Sequence, residues 1–172
     1  DVAPHQYLVR SLDGSPGPVP TADVTPWRPG DVSPAVDLLQ RAYPPVDPCR
    51  PCAPSGSHDA WEEYLIRLVG ASGCGVFDPH ASGTIAGPDG RLRGLVLASR
   101  LSPDVGHIAQ VAVDVESRGA GMGRHLVDSA CACLAGDGCR LVTLFVNERN
   151  RGALALYASL GFRFGGRFLS AG

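Results

Sequence analysis

VAVDVESRGAGMG, residues Val111 to Gly123, joins a strand-like run to a glycine-dense turn and then to a helix, and this order organises the rest of the chain. Val111, Ala112, Val113 and Val115 favour a strand, Arg118 to Gly123 form a loop with three glycines, and His125 to Leu134 continue in helical rhythm. At such a junction several backbone N–H groups converge without partners, and the helix dipole adds partial positive charge. The stretch therefore suits a phosphate group held by backbone.

Downstream, GDG breaks the helix near Ala135, and LVTLFV, Leu141 to Val146, is a continuous apolar and β-branched run that predicts a buried strand. Asn150 to Leu160 forms the last helix with Gly161 as its stop, and Phe162 to Leu169 has room for one more strand. Upstream, Gly83 to Ala98 reads as a hairpin around the turn signal PDG, its second arm ending near Leu101, and SPDVG leads into a strand from His107 to Val115. Before the hairpin, Val24 to Arg28 predicts a first strand, and Ser33 with Pro34 opens a helix to about Tyr43 whose apolar face is Ala35, Leu38, Leu39 and Ala42. PPVDPCRPCAPSGS, Pro44 to Ser57, has too many prolines for regular structure. A second helix follows, with Asp59 and Glu62 in capping-box spacing, Trp61, Tyr64, Leu65, Leu68 and Val69 apolar, and Gly70 as its stop.

The start of the chain reads as a separate arm, with Tyr7 to Val9 strand-like and a Pro/Gly-rich linker after it. The expected division is thus an arm and linker over residues 1–22 and one domain over 23–172. Its class is α/β, a mixed central β-sheet flanked by helices, with parallel crossovers only in the second half.

Composition narrows the function. The 172 residues, 44% hydrophobic, fit one compact core, and a net charge of -2 argues against nucleic acid as a partner. No run of about 18 apolar residues is present, nor a secretory signal, so neither a membrane partner nor export is expected and the location expected is cytoplasmic. The sole methionine is Met122, so the chain is expected to derive from a longer or trimmed product. All 15 basic residues are arginine, which removes lysine nucleophiles and GK[ST] phosphate loops. Of the six cysteines, Cys131 and Cys133 read as small hydrophobes in a helix. Cys49 and Cys52 form C-x-x-C with only His58 nearby as an added ligand, and without a second pair no metal is expected.

Spacing decides among phosphate ligands. A dinucleotide fingerprint G-x-G-x-x-G beginning at Gly119 needs glycine where Arg124 stands, and one beginning at Gly121 needs it at Leu126. R-x-x-G-x-G fits instead, with Arg118, Gly121 and Gly123, and NRGALALYASLGF follows the next strand in order. In these two motifs the chain resembles the GNAT acetyltransferase superfamily, over roughly Val24 to Phe168 and most densely from Gly106 to Phe162.

The resemblance implies the GNAT acyl-CoA N-acyltransferase fold, acetyl-CoA as cosubstrate, and transfer of acetyl to a primary amine of a small molecule, protein or peptide by direct attack in a ternary complex. It implies that the strand before the turn splays from the next parallel strand, with Val111, Ala112 and Val113 against pantetheine and thioester. Arg118, Gly119, Ala120, Gly121, Met122, Gly123 and Arg124 would hold the pyrophosphate. Asn150 matches a cofactor-contacting asparagine, though it also suits a helix N-cap. Tyr157 matches the family tyrosine that donates a proton to the leaving thiolate. Seven arginines from Arg118 onward face only Asp128, Asp137 and Glu148, a net of +4 that suits a polyanionic cofactor; Arg118, Arg124 and Arg151 stand out.

Two departures matter. Many relatives carry a glutamate base where this chain has Gln110; His107 is the substitute, acting through water or else purely structural, and Asp114 and Glu116 shape the turn. A noncatalytic acyl-CoA-binding or regulatory module is the alternative. Relatives also have two strands after the G-F pair, whereas ten residues follow Phe162 here. The Tyr7 to Val9 arm, or a neighbouring subunit in a homodimer, is expected to cover the sheet edge left exposed.

Overall fold

The structure, a computed structural model, describes residues 2–14, 23–43, 56–70 and 74–171. Its sheet contains β1 (Val2–Ser11), β2 (Thr25–Pro26), β3 (Val76–Phe77), β4 (Gly83–Ala86), β5 (Leu92–Ser102), β6 (Val105–Val113), β7 (Leu141–Asn147) and β8 (Arg163–Ala171). The order across it is β2-β4-β5-β6-β7-β1-β8, with β3 on the end of β5. Four helices accompany it: α1 (Val32–Ala42), α2 (His58–Gly70), α3 (Met122–Gly136) and α4 (Arg151–Ser159). β6 and β7, joined through α3, are the parallel pair, and the remaining ladders are antiparallel. Among the described residues no helix is long and apolar enough to cross a membrane.

Alternation along β5 explains the layers. Leu95 and Leu97 face α1 and α2 in a core with Leu38, Leu39, Trp61 and Leu65, whereas Val96 and Ala98 face α3 in a second core with Leu126, Ala130, Leu134 and Leu144. A Cβ on Gly106 of β6 would stand 2.6 Å from the Leu134 side chain, so glycine lets the end of α3 settle against the strand.

The Tyr7 to Val9 arm does cover the sheet edge beside β7, as part of the longer strand β1, which lies within the sheet, antiparallel to β7 from His5↔Asn147 to Ser11↔Leu141 and to β8 on its other side. It takes the position beside β7, leaving β8 at the edge. Several expectations change. LVTLFV is not buried throughout, because α1 and α2 cover β5 and β6 but not β7; Phe145 is 49% exposed on the uncovered face, while Val142, Leu144 and Val146 are buried on the other. Helix α1 begins at Val32 rather than after Ser33, since Pro34 within the first turn needs no N–H partner. Ser57 caps α2, its hydroxyl accepting from Ala60 N at 3.2 Å, in place of the Asp59 box. Val115 leaves the strand for a single 3-10 turn, Val115–Ser117. The C-x-x-C motif and the linker after Gly14 lie outside the described residues.

Candidate active site

β6 and β7 pair only from Val105↔Leu141 to Ile108↔Leu144. The break has a local cause: opposite β5, Leu97 pairs with Gln110 and Ala98 with Ile108, so Ala109 is an extra residue that bends β6 away from β7. The strands then diverge around a cleft of about 1200 Å³. One wall is Ala109 to Val113 and the glycine turn, the other Phe145 to Asn147 and the start of α4.

Asp114 fixes the first wall. Its N–H donates to Arg93 O at 2.8 Å, and its carboxylate meets Arg41 Nε at 2.9 Å and Arg93 Nη1 at 3.6 Å. Burial pushes that carboxyl up, but the Arg41 hydrogen bond, the Glu116 N–H and the two guanidinium charges together hold it below the usual carboxylate range. The carbonyls of Val111 and Val113 accept from Tyr43 Oη at 2.9 Å and Arg118 Nε at 3.2 Å, so these residues turn their peptide groups toward the gap. Ala112 alternates away and belongs to the α1/α2 core.

In the turn, Gly119 has φ 83° and Gly121 φ 81°, a conformation that an L side chain adopts only at a cost. The backbone N–H groups of Gly119, Ala120, Gly121, Met122, Gly123 and Arg124 make no hydrogen bond to the described residues. Together with the N-terminus of the 15-residue helix α3 they form an anion cradle. The side chain of Arg118 is already occupied: it donates to Ala42 O at 2.7 Å, at the C-terminus of α1, and so braces the turn. Arg124 is held by Ser159 Oγ at 2.6 Å. Ala120 supplies backbone only and does not line the cleft, whereas Gly119, Gly121, Met122, Gly123 and Arg124 do.

The second wall carries Asn150 and Tyr157. Asn150 is the N-cap of α4, its Oδ1 accepting from Ala153 N at 3.0 Å, which leaves its Nδ2 for a ligand. Tyr157 is 8% exposed, packs edge-on to Phe162, and lines the cleft with no hydrogen bond from its hydroxyl among the described residues. Burial raises its pKa to about 12. Arg149 and Arg151 line the same end without an ion pair among the described residues. Arg149 is a residue that sequence reading passed over, although it stands beside the asparagine motif.

The side of the cleft nearer α1 and α2 is built from separated residues. Gln110 donates to Tyr43 Oη at 3.0 Å and accepts from Tyr64 Oη at 2.9 Å. Its amide is a structural crosslink. His107, 2% exposed, shares a 2.9 Å hydrogen bond with Thr143 Oγ1, and burial lowers its pKa to about 4. Such a histidine is neutral at pH 7 and a weak base. Neither residue replaces a carboxylate. Elsewhere, His58, Asp59 and Glu62 bring three ligand atoms within 4.8 Å of one another, on the exposed first turn of α2 where acidic side chains suit the helix dipole without an ion. The thiols of Cys131, Cys133 and Cys139 are pushed up by burial, Cys131 to about 11, as expected of core cysteines.

β6 and β7 thus splay beside a glycine turn suited to a phosphate group. The sequence profile of the acetyltransferase (GNAT) family matches residues 35–162, and the chain belongs to that family. It is similar to a mycothiol acetyltransferase of Thermomonospora curvata, 42% identical over 87 residues that cover 50% of this chain and 29% of the relative. A mycothiol acetyltransferase of Kocuria rhizophila is 44% identical over 61 residues, 36% of this chain and 20% of the relative. The matched stretch thus spans less than a third of either curated relative. Among solved structures, a GCN5-related N-acetyltransferase from Sphaerobacter thermophilus superposes with a TM-score of 0.73 at 22% identity, over 98% of this chain and 50% of that one, a likeness of fold.

Proposed function

We propose that this chain is an acetyl-CoA-dependent N-acetyltransferase that passes acetyl directly to a primary amine within a ternary complex. The observation that carries the reading is the β6/β7 gap, with six N–H groups that have no partner among the described residues at one end and the Tyr157 hydroxyl in its wall. The cradle fits a pyrophosphate: it offers donors without side chains in the way, a helix N-terminus, and Arg124, Arg149 and Arg151 nearby. Peptide groups of Val111 and Val113 and the Nδ2 of Asn150 are the further candidates for cofactor contact. Acetyl-CoA supplies an acetyl group activated as a thioester.

The residues of this chain then position and manage protons. The carbon–nitrogen bond forms as the carbon–sulfur bond breaks, one proton leaves the amine, and one reaches the sulfur. With a pKa of about 12, Tyr157 keeps its proton throughout the physiological range. Its role in this reading is that of general acid, the hydroxyl donating toward the sulfur as negative charge develops there while the amine gives up a proton. Gln110 and the neutral His107 provide no strong base, so the amine enters the reaction unprotonated.

Calorimetric titration with acetyl-CoA followed by thiol release over a panel of amines tests the proposal. Binding together with amine-dependent release is expected. Binding without release to any amine would instead favour a noncatalytic acyl-CoA-binding module.

A further inference from the structure

Resting on the acetyltransferase reading, we propose that the acceptor is a small, weakly basic primary amine carrying an aromatic ring, and not a polycation. The uncovered face of β7, β1 and β8 carries aromatic rings in mutual contact. Phe145 lies 5.0 Å from His107 and 4.8 Å from Phe168, ring centre to ring centre, and Phe168 stacks on His5 at 5.4 Å. All four line the cleft beside the gap, and Phe145 and Phe168 still expose 49% and 36% of their surface. Tyr43 and Tyr64 stand across from them. A planar apolar group fits such a wall, by offset or edge contact.

Charge gives the second, independent argument. Among the described residues lining the cleft there is no aspartate or glutamate, and there are four arginines. A polyamine or aminoglycoside would leave its remaining cations without a carboxylate partner among these residues. Basicity acts in the same direction. At pH 7.5 an α-amine of pKa near 7.9 is about a quarter neutral, while a lysine-type amine of pKa 10.4 is neutral to only about 0.1%. With no carboxylate among the described residues lining the cleft to remove the proton, that ratio of roughly 200 favours the weaker base, and its lower nucleophilicity offsets about tenfold of it.

The test measures kcat/KM by thiol release at pH 7.5 and saturating acetyl-CoA, on the whole chain, for phenylalanine amide, glycinamide, Nα-acetyl-lysine amide and spermidine. Phenylalanine amide should exceed glycinamide by about tenfold, from ring contact. It should exceed the acetyl-lysine amide and spermidine by about tenfold or more. Equal or better use of spermidine or the acetyl-lysine amide overturns the inference while leaving acetyl transfer standing. Absence of release with every amine, despite acetyl-CoA binding by calorimetry, overturns the transferase reading itself. Phe145→Leu, at a half-exposed position where the fold tolerates the change, should cut the preference over glycinamide to about threefold or less. An unchanged preference in that variant also overturns the aromatic wall.

Discussion

Gly121→Ala separates the structural from the ligand-binding role of the glycine turn. At φ 81° and ψ 5°, Gly121 is the N-cap of α3 in the left-handed region, and a Cβ there would meet nothing within 4 Å. The stability cost is therefore conformational alone, about 1–2 kcal/mol, and contains no clash. For a chain of this size that lowers Tm by roughly 2–8 °C. Binding should suffer more. The open space that the methyl enters belongs to the cleft, in front of N–H groups that have no partner among the described residues. Losing one hydrogen bond to a charged group removes about 1.5–3 kcal/mol, or about 10- to 150-fold in Kd. Gly121→Val adds β-branching at the same φ and should abolish detectable binding. Thermal unfolding by circular dichroism and titration with acetyl-CoA measure the two quantities on the same samples. An affinity unchanged in Gly121→Ala, with the expected loss of Tm, would refute the cradle and leave the turn a purely structural element.

Tyr157→Phe should lower kcat by about a hundredfold while acetyl-CoA affinity stays within about twofold, since the ring still packs on Phe162 and only the donor is lost; pre-steady-state thiol release and calorimetry report the two. His107 provides a pH prediction. Its folded pKa of about 4 lies below the ordinary 6.5, so the unfolded chain binds the extra proton first. The stability associated with its neutral form is present above about pH 6.5 and lost as pH falls toward 4, about 3 kcal/mol at most. Urea unfolding of the wild type and of His107→Phe across that window should show the slope flattening in the variant, and parallel curves would refute it.

The glycine-turn side of the cleft is legible in the sequence because it is local. A strand, two left-handed glycines and a helix start within thirteen residues determine where N–H groups point, whatever packs around them. One contact there is not local: Arg118 is drawn to the carbonyl end of α1, a partner 76 positions away that no spacing rule reveals. The opposite side is not legible for the same physical reason. Tyr43, Tyr64, Gln110, Phe145 and Phe168 come from the end of α1, from α2, β6, β7 and β8, and nothing in their spacing brings them together. LVTLFV has the apolar continuity of a strand buried on both faces, yet which faces are covered depends on where α1 and α2 settle. Burial of Asp114 with Arg41 and Arg93, which fixes the end of β6, likewise joins three separate elements.

β1 links these two sides. Beyond Leu144, β7 has lost its pairing with β6, and a strand unpaired on both edges would have no reason to hold Phe145 to Asn147 in place. β1 continues along the other edge as far as Asn147, so the far wall of the gap is fixed although its near neighbour has bent away. The same pairing sets the aromatic face, because His5 falls opposite Asn147 and Phe168 while Tyr7 falls opposite Phe145. A one-residue slip of β1 would send His5 and Tyr7 to the face of Leu8, into the α3/α4 core. Register in the first eleven residues thus determines the shape of a cleft whose recognisable motifs begin a hundred residues later, and the glycine turn has a wall to face only because the N-terminal strand supplies it.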